Sequence, residues 1–324
     1  AVLQEYSLSA VSFQGADLRN AQMQLVDLST TDLRRTRLDN ADLSHARLRE
    51  VYLRGAELRN TVLRQAHMPS ATLTKAIMIG ADLRGADLEE ANLSYADLTG
   101  ADLTGANLRG AKMRGVILRN AILKQADLRL ANLSHADLQK ANLDRASLEG
   151  ANLSRVSMAK ARLTKASFNG AVMNEIVLTG ADLRLTNLSL ANLRGANLNV
   201  ANLKGASLRD AILGRADLSG ATLKDSDLRR ANLNLATLRA ADLSRAILED
   251  AGLSGADLRG ANLRGSKARG AVFRGAIFGG ADLRGADLRT ANLRWVNLMD
   301  AKLRGADLTD ADLTDAEASQ EQLA

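Results

Sequence analysis

The chain has 324 residues, 46% of them hydrophobic, with 43 Lys and Arg against 37 Asp and Glu, a formal net charge of +6 and a sequence pI of about 9.8. That apolar fraction excludes a disordered polyampholyte, zero cysteine excludes disulfides and thiolate metal sites, and no run of about 18 apolar residues is present to span a membrane. Aromatics make up only 2% and there is one proline, so a conventional globular core, which relies on aromatic volume, is not expected. No signal or transit segment is visible. A cysteine-free chain fits a reducing compartment, so a cytoplasmic location is the expectation.

From the first residue the sequence falls into five-residue words without an insertion: AVLQE YSLSA VSFQG ADLRN at the start, ADLTG ADLTG ANLRG at 96–110, ADLRG ADLRT ANLRW at 281–295. A small residue holds the first place, Asp or Asn commonly the second, and Leu, Met or Phe the third, as in Leu18, Met23, Phe168 and Phe273; Ala268 in SKARG and Ala318 in AEASQ depart from this. Leucines five apart lie about 140° apart on an α-helix and make no stripe. Neither a heptad nor strict alternation is present. What survives is a short extended piece with places one and three on one face, then a two-residue corner. Places one and three point in; two, four and five point out. A corner every five residues gives a rectangle, four words closing a coil of 20 residues, so residues 1–324 make one continuous all-β solenoid of about 16 coils. Stacked at about 4.8 Å, the coils would form a rod of about 75–80 Å. Four leucines per coil fill the axis, and the alanines beside them leave room. Glycine at the fifth place suits a corner with positive φ.

Along the chain, the exceptions to the word mark candidate features. Residues 1–15 are less regular, with Tyr6 and Val11 at first places, and read as an N-terminal cap. Pro69, in AHMPS, is outward and reads as a local loop or bulge. Second-place Ile77, Ile117, Val177 and Ile277 share a side by the 20-residue count, with Ile79 and Met299 at fourth places. They read either as isolated surface apolars or as a partner-binding stripe. His45, His67 and His135 fall on different sides, so no metal cluster and no cofactor is expected. No nucleophile elbow, Walker loop or dinucleotide fingerprint is present, so an enzyme is not expected. Trp295, the only tryptophan, sits at an outward fifth place beside Arg294 and is a hot-spot candidate. Residues 256–305 carry ten cations against four carboxylates. In this girdle Arg264, Arg284 and Arg304 should stack on one side, Arg269 and Arg289 on the next, and Arg274 and Arg294 on a third. Asp257, Asp282 and Asp287 each precede an Arg by two residues, which suggests self-neutralising pairs. Residues 306–324 carry six carboxylates and no cation, and 316–324 read as a short C-terminal cap, an opening helical turn, or an end shared with a second copy in an end-to-end homodimer.

The tandem A(D/N)LXX word resembles that of the pentapeptide repeat family over essentially the whole chain. The resemblance implies a right-handed quadrilateral parallel β-helix. Family members are mostly non-catalytic. Some mimic duplex DNA and bind type II topoisomerases; others are cyanobacterial or plastid proteins, or secreted bacterial effectors. The expectation is therefore a bacterial, non-enzymatic scaffold that binds a protein through its outer faces. The contact is expected at the girdle arginines, Trp295, Ile77 and Ile117. A DNA-mimicking modulator of DNA gyrase is the alternative, although a mimic calls for a negative surface and the net charge here is +6. Nucleic acid is not expected as a partner, because neighbouring Asp residues cancel part of the basic field and stacking platforms look missing.

Overall fold

A computed structural model describes residues 2, 3 and 5–319. They build two compact units, Ala1–Arg162 and Leu163–Ala324, each a right-handed, four-sided parallel β-helix. In both, a second-place residue bridges its counterpart 20 residues on: Gln22 to Asp42 to Val62 in the first unit, Asn262 to Asp282 to Lys302 in the second. Four words thus make a coil. We number its faces from the first word, so in the N-terminal unit residues 21–25 lie on face one and 31–35 on face three. Residues 281–285 and 291–295 hold the same places in the C-terminal unit.

The word is explained by where its amides go. Asp42 N–H donates to the Ala21 carbonyl (2.9 Å), Leu43 N–H to Val62 (2.8 Å) and His45 N–H to Arg64 (2.8 Å), while Ala46 N–H closes the turn on Leu43 (3.1 Å). One amide remains, at the fourth place, and the second-place side chain takes it: Ser44 N–H donates to Asp42 Oδ1 at 2.9 Å. Asn does the same, as for Ser94 N–H on Asn92 Oδ1 at 3.1 Å. Asp and Asn recur at the second place because a short side chain ending in a carbonyl oxygen reaches the amide two residues on. At two second places that lack one, the preceding coil supplies it. Arg59 and Ser254 follow Glu57 and Gly252, and their amides donate to Asp39 Oδ1 and Asn234 Oδ1 at 2.8 and 2.9 Å. An unpaired amide held against the coil would otherwise cost free energy comparable to a lost hydrogen bond.

The same accounting corrects the reading of Pro69. No loop or bulge forms there: His67 bridges both Arg47 and Asp87 in normal register, and Met68 is fully buried. Pro69 occupies the fourth place, the one position whose amide no backbone carbonyl needs, so its missing N–H costs nothing.

All fifth-place residues from Glu5 to Asp315 have φ between 50° and 74°. Glycine suits this, but Val200, Thr290 and Trp295 adopt it too, at 50°, 57° and 56°. Each such residue costs about 1–2 kcal/mol, and the hydrogen bonds on both sides of the corner over-determine it.

Inside, first-place alanines and third-place leucines from Ala21 to Ala301 are almost completely buried, while the described ones of the end coils are half-buried. The exception at Ala268 is compensated within its own coil. Phe273 and Phe278, the next two third-place residues, fill the axis with ring centroids 5.2 Å apart, replacing the volume a leucine would have supplied. Buried first-place hydroxyls other than that of Ser266 are bonded to third-place carbonyls, as Thr36 Oγ1 to Leu33 (2.6 Å) and Ser226 Oγ to Leu223 (2.6 Å).

At the N-terminal end Tyr6 and Val11 stay exposed. At the other end residues 316–319 continue the coil rather than open a helix: Glu317 bridges Asn297, and Leu298 N–H donates to its carbonyl at 2.8 Å. The rest of the expected cap, 320–324, lies outside the described residues. Among the described residues no helix is long and apolar enough to cross a membrane.

Candidate interaction surface

Because the axis is filled, chemistry lies on outward places. The Asp–Arg words form bidentate pairs: Arg84 Nε and Nη2 meet Asp82 Oδ1 and Oδ2 at 2.9 and 2.8 Å, and Arg64 Nε adds a third bond at 2.6 Å. These bonds hold the Asp82 carboxyl at about 2, with the Arg84 side-chain bond the largest cause. Asp282 is held at about 2 chiefly by Arg284. Asp257, bonded by Arg259 and Arg239, is pushed lower still.

In the C-terminal unit the girdle arginines stack as expected, each column joined through backbone hydrogen bonds one coil apart. Their side chains divide into two sets. Arg284 and Arg289 are clasped by Asp282 and Asp287 at 2.6 and 2.7 Å, and Arg294 Nε lies 3.9 Å from Asp312. Arg264, Arg269 and Arg304 have no ion-pair partner among the described residues. Arg269 lines a shallow depression of about 390 Å³ with Glu249, Asp250, Gly270 and Thr290.

Trp295 joins two of the predicted arginines into one cluster. The Arg274 guanidinium, from the preceding coil, sits 4.1 Å from the indole centroid, and that of Arg294 sits 5.3 Å from it. Trp295 Nε1 donates to Asp315 Oδ2 at 2.8 Å, on the following coil. The ring is therefore fixed in orientation while 45% exposed.

The apolar stripe is not continuous. Ile77 and Ile117 are half-buried, and Asp97 bridges both and separates them. Among the described residues no group of His, Asp and Glu is placed to hold a metal ion. His67 Nδ1 faces Asp87 Oδ2 at 2.9 Å in an isolated pair.

Sequence reasoning missed an asymmetry between faces. In the N-terminal unit Asp32 is the only carboxylate at second and fourth places of face three from Ser12 to Ser154, and the following corner, from Gly15 to Arg155, has none. In the C-terminal unit face three carries no carboxylate at those places from Val172 to Arg294. Faces one, two and four carry many. The signal was present in the sequence as columns of every twentieth residue, not as blocks along it.

A family model for pentapeptide repeats matches in overlapping segments from residues 7–44 to 291–320. Among solved structures, the chain is similar to HetL, a pentapeptide repeat protein involved in heterocyst differentiation regulation in the cyanobacterium Nostoc sp. strain PCC 7120. Identity is 33% over 76% of this chain and 89% of that one, with a TM-score of 0.37. It is also similar to QnrB1, a plasmid-mediated fluoroquinolone resistance protein, at 19% identity over 70% of this chain and 91% of that one, with a TM-score of 0.28. A pentapeptide repeat protein of the Arabidopsis thaliana thylakoid lumen is 32% identical over 36% of this chain and 65% of that one, with a TM-score of 0.16. No curated protein matches at a significant level. With the repeat model running nearly the length of the coils, the chain belongs to the pentapeptide repeat family.

Proposed function

We propose that this protein is a non-enzymatic interaction scaffold that binds a partner protein through its outer faces, with the corner around Trp295 as the anchor. The observation that carries this reading is the Arg274–Trp295–Arg294 cluster: an exposed indole oriented by Asp315 and flanked by two guanidiniums. Trp and Arg dominate binding energy at protein interfaces, and a ring already fixed in place loses little entropy on docking. The surface supports interaction rather than catalysis, since its depressions are shallow and line up charged side chains without a convergent nucleophile and base. A DNA mimic finds less support, because many of the outward-pointing carboxylates are half-buried and clasped by arginine rather than presented as a free negative field.

The test is affinity capture from the organism of origin with the wild-type chain and with Trp295→Ala/Arg274→Ala, followed by calorimetric titration of both forms with the captured protein and by the Trp295 emission of the wild-type chain. The reading expects a protein that shifts the emission and binds the double variant about tenfold or more weakly. A partner that binds both forms alike and leaves the emission unchanged would sink it.

A further inference from the structure

Ion pairing in the N-terminal unit is uneven between faces. On faces one, two and four many are tied to carboxylates: Arg64 and Arg84 to Asp82, Arg109 to Glu89, Arg119 to Asp137 and Arg129 to Asp127. On face three and its following corner, Arg35, Arg54, Lys75, Lys112 and Arg114 have no ion-pair partner among the described residues. The one carboxylate there, Asp32, is occupied by Arg34 Nε and Nη2 at 2.9 and 2.7 Å. Like charges gathered without counter-charge repel one another, and a polyanion laid along them relieves that repulsion.

Two features make this more than a diffuse basic patch. Around Gly55, Arg34, Arg35, Arg54 and Lys75 line, with Gln14, an open depression of about 380 Å³. It exists because Gly55 stands between Arg35 and Lys75 in the corner column and carries no side chain; a Cβ there would meet only Arg35 Cγ, at 3.9 Å. Second, the cations are interleaved with tyrosines. Tyr52, 47% exposed, bridges Asp32 and Thr72 and stands two residues before Arg54. Tyr95, 52% exposed, rests its ring on Gly115, whose Cβ would lie 2.8 Å from it, and its amide donates to the Arg114 carbonyl at 2.9 Å. From the coil of Arg34 to that of Arg114 the strip is about 19 Å long, at roughly 4.8 Å per coil. Small side chains between them (Thr72, Thr74, Asn92 and Ser94) leave it flat.

The geometry points to a single-stranded nucleic acid as the ligand of this strip, a site separate from the Trp295 corner. An acidic peptide or an inorganic polyphosphate would use the cations and leave Tyr52 and Tyr95 without a role. A duplex hides its base faces. An unpaired strand offers phosphates to the cations and base faces to the rings, the combination by which flat sheets with exposed aromatics hold single strands. In chain order the tyrosines looked too few and too scattered to serve as platforms; the coil sets them two turns apart on one strip.

The experiment is fluorescence anisotropy of a fluorescein-labelled oligothymidylate with the full chain at about 50 and 200 mM salt. Arg54→Ala/Lys75→Ala should weaken binding about tenfold and reduce the salt slope by about 1.4, the effect of two single-strand phosphate contacts. Lys140→Ala/Lys160→Ala removes the same charge from a different corner of the unit and should change binding less than about twofold. Tyr52→Ala should weaken binding at least about fivefold and Tyr52→Phe should restore it, since stacking needs the ring and not the hydroxyl. Trp295→Ala should leave oligonucleotide binding unchanged, which separates this site from the protein-binding reading. Equal losses from the two double variants would reduce the effect to general basic attraction and overturn the site. Full binding by Tyr52→Ala, with inorganic polyphosphate or duplex competing as well as the strand, would overturn the assignment to single-stranded nucleic acid.

Discussion

Faces one and three of the N-terminal unit are built on the same five-residue plan, and at Asp82 and Asn92 they differ in the second letter. On face one Asp82 caps the Arg84 amide at 3.3 Å and also clasps two guanidiniums. On face three Asn92 caps the Ser94 amide at 3.1 Å and pairs with no charge. For the backbone the two side chains are equivalent, since each offers one oxygen to the amide two residues on. For the surface they differ by a full charge. The coil is therefore indifferent to the choice, and the pattern of Asp and Asn around it is free to answer to what the outside must meet. The carboxylate-bearing faces tie up many of their cations, while on the third face and its corner Arg35, Arg54, Lys75, Lys112 and Arg114 have no ion-pair partner among the described residues.

The largest effect expected from this comparison is at Asp82. Asp82→Ala removes the cap of a turn amide and strands two arginines, and should cost about 1–3 kcal/mol in chemical denaturation. Asp82→Asn keeps the cap and should cost less than about 1 kcal/mol, the worth of partly exposed ion pairs. Equal losses would show that charge pairing, not capping, is the use of the second place. Acid should separate the faces next. Asp82 and Asp282 titrate at about 2, below their ordinary value of 3.8, and Asp127, Asp182 and Asp227 are lowered as well. Depressed carboxyls contribute fully above the unfolded value, and their contribution is lost as pH falls from about 4 toward 2. Amide protection factors at Arg84 should fall in that window. Those at Ser94, capped by an amide oxygen that does not titrate, should hold until the unit itself loosens.

The period alone carries the fold. Five-residue spacing of leucine defeats helix and plain strand alike, and the corners leave one way to close. The Trp295 cluster was also legible, since Arg274 and Trp295 are one coil apart in count and meet in space. What the sequence concealed was the purpose of the second letter. Asp257 beside Arg259 reads as a charge pair, and it is one, but its Oδ1 also accepts the Arg259 amide at 3.2 Å. Two clues pointed that way: Asn alternates freely with Asp, and Pro69 is tolerated at the fourth place. Which carboxylate an arginine chooses was not readable, because Arg289 reaches both Asp287 at 2.7 Å and Asp307 at 3.6 Å, and side-chain torsions decide. The charge asymmetry was missed because charge was counted along the chain, where neighbouring words belong to different faces.

A smaller effect is expected inside the C-terminal unit. Thr186 and Ser226 donate their buried hydroxyls to carbonyls at 2.7 and 2.6 Å, whereas Ser266 Oγ is buried with no partner among the described residues. Ser266→Ala should therefore stabilise the fold by up to about 1 kcal/mol, read as a raised denaturation midpoint at constant slope. A loss would mean that the hydroxyl has a partner the coil geometry does not reveal.

The smallest expected change in stability is the sharpest test of the contrast. Asn92 and Asn132 both bridge Lys112 on face three, one from the coil before and one from the coil after. Asn92→Asp with Asn132→Asp keeps an oxygen for the Ser94 and Ser134 amides, each now capped at 3.1 Å, and gives Lys112 two carboxylates. Stability should move by no more than about 0.5 kcal/mol, while oligonucleotide binding should weaken several-fold, because the strip then carries the self-neutralising pattern of its neighbours. A stability loss as large as that of Asp82→Ala would mean that the backbone does distinguish the two letters. Unchanged stability with unchanged binding would mean that the open cations of face three serve some other contact, since a polyanion lying there has to sense two new charges beside Lys112.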